Sequence, residues 1–205
     1  MAAAVAAGFI PGATIESIVE TVIGLSKDGT RQAIADVAEV AREQKRRGAD
    51  HAALTEAFHG AIRHYSPMGD DVTHSANKAG RVSDAYQPSR LNSIEELPLA
   101  LGFALFNDGA FRRSVEDGIN SGRDTDSIGV MAGAILGALH GEAVIEADEL
   151  KLLDGANRLT LTESADRFAA VAAEIMAADA RAAALRTGQR ETLLSIPMAP
   201  SQAAE

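Results

Sequence analysis

The sequence predicts an all-α fold, and three observations carry that expectation. Apolar residues recur at helical spacing through most of the 205 residues. Aromatic residues make up only 4% of a chain that is 46% hydrophobic, and alanine is abundant, a mixture that suits closely packed helices better than pleated strands. No stretch alternates polar and apolar residues convincingly enough to be a strand.

The opening run, Met1 to Phe9, is short and has no basic flank, so it reads as a buried helix rather than a secretory signal. Thr14 can cap a helix over 14–25, with Ile15, Ile18, Val19, Val22 and Ile23 on one face. A second helix covers 30–47 with Ile34, Val37, Ala38 and Ala41 inward, and Gly48 stops it. Arg42, Lys45, Arg46 and Arg47 complement its C-terminal dipole, and a phosphate site is the alternative reading of that basic run. Leu54, Phe58 and Ile62 give a third helix within 50–65. Between residues 66 and 90 the period disappears, and Pro67, Gly69, Gly80 and Pro88 mark a long loop of the kind that is often functional.

Ser93-Ile94-Glu95-Glu96 has the form of a capping box, and Pro98 places the start of the main helix near itself, running to Phe106. Asn107-Asp108-Gly109 is a turn, followed by helices over 110–118 and 128–140. The last third gives helices over 148–153 and from 162 to about 186, and the final dozen residues read as a frayed tail.

The formal net charge is −10, from 29 acidic and 19 basic residues. An acidic surface repels phosphate backbones, so nucleic acid is not an expected partner. No apolar run is long enough for a membrane span. The chain has no cysteine, which excludes disulfides, zinc–thiolate sites and cysteine nucleophiles and fits a cytoplasmic location.

The chemistry concentrates in Asn120-Ser121-Gly122-Arg123-Asp124-Thr125-Asp126-Ser127. In a turn, Asp124 and Asp126 can face one side while Thr125 points away, and Ser127 adds a neutral oxygen at the helix start. Hard cations such as magnesium take such oxygen donors. The competing reading is an N-cap, which one aspartate already satisfies. Gly129, Gly133, Gly137 and Gly141 then recur every fourth residue, implying close approach by a neighbouring helix along that stripe. A membrane dimerisation face is excluded by the short apolar run and His140.

Gly122-Arg123-Asp124-Thr125-Asp126-Ser127-Ile128-Gly129, with Ala132-Gly133-Ala134 and Gly137-Ala138 behind it, resembles the C-terminal signature of the ADP-ribosylglycohydrolase family. Weaker likeness extends over roughly residues 1–178, leaving 179–205 as a helix end and flexible tail. The resemblance implies a compact domain of orthogonal helices and a cleft holding two magnesium ions that receives an ADP-ribose-containing substrate. It implies that Asp124, Asp126 and Ser127 are metal ligands, with Asp126 the bridge between ions. Gly122 and Arg123 would border the substrate, Arg123 standing where the family commonly has glycine.

The family's first metal motif and its catalytic acid are not found, so the resemblance implies a chain truncated at its N-terminus, with the catalytic residues unknown and expected in the missing part. Gly69-Asp70-Asp71-Val72-Thr73 has the right residue types in the wrong place. Three protein oxygens are too few to cage two ions firmly. The alternative to hydrolysis is therefore a catalytically silent relative acting as a binding or structural module, self-associating through surfaces that truncation exposes. His51, His59, His64, His74 and His140 lack metal spacing, and only His74 sits where a loop could border a cleft.

Overall fold

The computed structural model describes residues 1–63, 65, 93–158 and 160–196. Among these, every regular element is helical, and the chain divides into two units, Met1–Ile145 and Glu146–Glu205.

The first unit is built around α5 (Ser93–Phe106), whose Leu99, Ala100, Leu101, Phe103 and Ala104 are essentially inaccessible. A helix apolar on nearly every side belongs in the centre of a bundle. Against it pack α2 (Ile15–Leu25), α3 (Asp28–Arg47), α4 (His51–Ile62), α6 (Phe111–Asn120) and α7 (Thr125–His140). α1 (Ala2–Gly8) lies on α2 and α7, burying Ala4 and Ala7, as its small side chains and lack of charge predict. Pro98 lies inside α5 rather than at its start. The helix extends a turn further towards the N-terminus than the proline suggested, because the hydrogen bond Pro98 cannot donate falls on Ile94, within that first turn.

Thr14 and Ser17 cap α2 reciprocally, with Ser17 N donating to Thr14 Oγ1 at 3.1 Å and Thr14 N to Ser17 Oγ at 2.9 Å. Gly48, at φ 67°, ends α3 in the left-handed conformation that glycine adopts without strain. Three of the four residues of the basic run are engaged within the fold. Arg42 bridges Glu16 and Glu20 of α2, Lys45 pairs with Asp108, and Arg47 pairs with Glu43. Just beyond α4, the Tyr65 hydroxyl donates to Asp36 of α3 at 2.5 Å, and that bond pushes the phenol up to about 12.

The glycine stripe of α7 behaves differently from its expectation. A Cβ on Gly129 would stand 3.0 Å from Ile119, whereas on Gly137 it would meet nothing within 4 Å. α1 also comes close to α7, but through its own Gly8, where a Cβ would stand 3.1 Å from Ala138. Along the stripe itself close approach is confined to the α6–α7 hairpin, where Gly118 faces Ile128 at 2.9 Å in return. Glycine on each helix receives isoleucine from the other, and this draws together the two helices that flank residues 121–124.

The second unit contains α8 (Ala147–Asn157) and α9 (Leu161–Leu194). α9 continues eight residues past the predicted end, because Gly188 weakens a helix without breaking it and Gln189, Arg190, Glu191 and Leu193 are good helix formers. Neither helix buries a residue. No described helix is long and apolar enough to cross a membrane.

Candidate active site

The loop between α6 and α7 reverses the chain in four residues. Gly122 (φ 82°) and Arg123 (φ 66°) are consecutive left-handed residues, the first free of strain and the second not. Arg123 is held there by its side chain, which turns inward instead of towards solvent. Its guanidinium donates to Glu95 Oε2 of α5 at 2.6 Å, with the two side chains 4% and 7% exposed. Burial still pushes the Glu95 carboxyl above its ordinary range, with Arg123 opposing that and Asp124 adding to it.

The residue beyond the anchor is Asp124, which stands at the N-cap of α7. Its carboxylate makes no well-aligned capping bond. Asp126, Glu96 and the Ser127 hydroxyl and amide nevertheless gather on it and hold its carboxyl below the usual range. Asp126 and Ser127 occupy the first turn of α7, so the sequence-predicted turn is already helix at those two positions. The four-residue segment thus presents a pair of acids and a hydroxyl at one helix N-terminus, where the dipole favours negative charge.

Glu96 is the residue sequence reasoning missed. It is 6% exposed, and its carboxyl is pushed up to about 7, first by burial and then by Asp124, Glu95 and Asp126. Like charges forced together in a poorly solvated place retain a proton, and here Glu96 keeps it against Asp124. The adjacent acids Glu95 and Glu96 thereby divide their roles: one anchors Arg123, and the other joins Asp124. Two carboxylates side by side in the first turn of an otherwise apolar helix were the available signal.

Among the described residues, no three acidic or histidine side chains are arranged to hold a metal ion as they stand. The donors at Glu96, Asp124, Asp126 and Ser127 are all hard oxygens, so the chemistry of the set suits a hard divalent cation.

A cavity of about 690 Å³ opens beside the anchor, lined by His51, Thr55, His59, Arg63, Asn120 and Arg123 among others. It reaches Arg123 but not Asp124, Asp126 or Ser127. Thr55 Oγ1 and His59 Nε2 on its wall, and Glu95 Oε1 on the residue paired with Arg123, are buried with no hydrogen-bond partner among the described residues. Two other histidines are structural. His51 Nε2 bonds the Asp117 carbonyl at 3.0 Å, and His140 Nε2 bonds that of Gly109 at 2.8 Å. His64, His74 and the segment Gly69 to Thr73 lie outside the described residues.

Comparison with known proteins adds one result to this geometry. A family model described as ADP-ribosylglycohydrolase matches residues 1–186. Neither a curated protein nor a solved structure matches the chain.

Proposed function

The chain belongs to the ADP-ribosylglycohydrolase family, whose activity is glycohydrolysis of ADP-ribose conjugates, and from that premise we propose that it performs this hydrolysis with magnesium. The observation that carries the proposal is the meeting of Glu96 with Asp124, Asp126 and Ser127 at the start of α7.

In this reading the carboxylates of Asp124 and Asp126 and the hydroxyl of Ser127 would hold the ion. When bound, magnesium supplies Lewis-acid stabilisation of charge developing at the sugar and lowers the pKa of a water. Glu96 gives up its proton near neutrality, which makes it a further oxygen donor beside Asp124. Arg123, through Glu95, fixes the loop so that Asp124 stays in place while ligand exchanges. Gly122 lets the backbone of the loop lie close to a sugar or phosphate.

The second reading is a silent binding module, and the lack of a ready three-ligand cage among the described residues favours it. Magnesium calorimetry separates the two, on the chain and on Asp124→Ala/Asp126→Ala, with and without ADP-ribose. Saturable magnesium binding that needs both aspartates and strengthens with ADP-ribose supports the hydrolase. A folded chain that binds no magnesium and releases no ADP-ribose from conjugates sinks it and leaves the module.

A further inference from the structure

α9 is 34 residues long and, within its own unit, buries none of them. Most helical stability in proteins comes from packing an apolar face, and α9 has such a face. Phe168, Val171, Ile175, Ala178, Ala182 and Leu185 follow one another at alternating steps of three and four residues. That spacing lays them in one stripe roughly 27 Å long, the a/d seam of a coiled coil. All six are exposed, Phe168 at 78%, Ile175 at 57% and Leu185 at 64%. A contiguous apolar stripe of this kind marks an interaction surface.

The residues bordering the stripe identify its occupant. Glu174 and Arg181 lie along one edge, with Asp179 and Arg186 along the other. Neither Glu174 nor Arg181 has an opposite charge three or four positions away, so neither is matched within its own helix. We propose that the stripe packs against the same stripe of a second copy of this chain, antiparallel, about a two-fold axis between residues 176 and 177.

In that arrangement Phe168 meets the partner's Leu185, Val171 meets the partner's Ala182, and Ile175 meets the partner's Ala178. Large residues close the ends, and alanines at the centre let the helices approach. Glu174 falls opposite the partner's Arg181, and symmetry makes the pair twice. A parallel pairing instead sets Glu174 against the partner's Asp179 and Arg181 against the partner's Arg186. Like charges at both of these contacts reject that orientation. The surface is self-complementary in one direction only, as a closed dimer requires.

The test is sedimentation equilibrium on the full chain, and it is independent of any activity. A monomer–dimer equilibrium is expected. Arg181→Glu weakens it roughly tenfold by turning two attractions into two repulsions, and Glu174→Arg/Arg181→Glu restores it. Ile175→Asp leaves a monomer whose first unit still melts cooperatively by circular dichroism. A chain that stays monomeric over a wide concentration range overturns the proposal. So does a dimer indifferent to Arg181→Glu, or a double variant no tighter than the single one.

Discussion

At the scale of single residues, the Glu95–Arg123 pair is the most consequential contact near the candidate site. Both side chains are almost wholly buried, so removing one partner strands the other charge in a poor solvent. Glu95→Gln is expected to lower the unfolding free energy by about 3 kcal/mol. Glu95→Leu/Arg123→Met, which removes both charges, should recover most of that loss in the same urea titrations. His59 gives a pH signature. Burial, with the nearby charge of Arg123, lowers its pKa from the ordinary 6.5 to about 4. Between those values the unfolded chain takes up a proton that the folded chain refuses. The contribution to stability is therefore complete above about pH 6.5 and declines as the pH falls towards 4. Urea midpoints for the chain and for His59→Gln, which has no proton to take up, should run parallel above that window and separate below it, the chain losing stability as the pH falls.

At the scale of elements, the packing of α5 on α3 and α4 depends on one absent side chain. A Cβ on Gly102 would stand 2.5 Å from Val37 and 2.9 Å from Phe58, whose ring also meets Phe103 edge to face at 4.9 Å. Gly102→Ala should cost about 1–3 kcal/mol through overpacking, while Gly137→Ala, where space is open, should gain up to about 1 kcal/mol. Thermal melts of the two variants should move in opposite directions. The contrast also marks what the sequence could disclose. Apolar period was enough to find α2, α3, α4 and α7, because each buries a single face whose residues are neighbours in the chain. It could not say which glycine of the α7 stripe touches a neighbour, since that depends on Ile119 of another helix. For the same reason Asp124, Asp126 and Ser127 stood out as a cluster, whereas Glu96 did not. Its involvement depends on a fold that brings α5 alongside a loop 28 residues away from it.

At the scale of the whole molecule, the two units have different sources of stability. The first has a continuous core running from Ala4 to Leu136. The second has no buried residue in either helix, so it has no core of its own to protect it, and whatever packs onto it should set its protection. Hydrogen exchange should therefore be slow in α5 at every protein concentration. In α9 it should be fast in dilute solution and slow as dimer forms, with protection strongest around Ile175. Uniform protection of both helices at all concentrations contradicts that picture. The bond from Tyr65 to Asp36 has an optical consequence for such work. The chain has two tyrosines and no tryptophan, so its ultraviolet emission comes from phenol rings alone. A phenol held against a carboxylate emits weakly, and the separation of α3 from α4 should register as a brightening of the native, unlabelled protein.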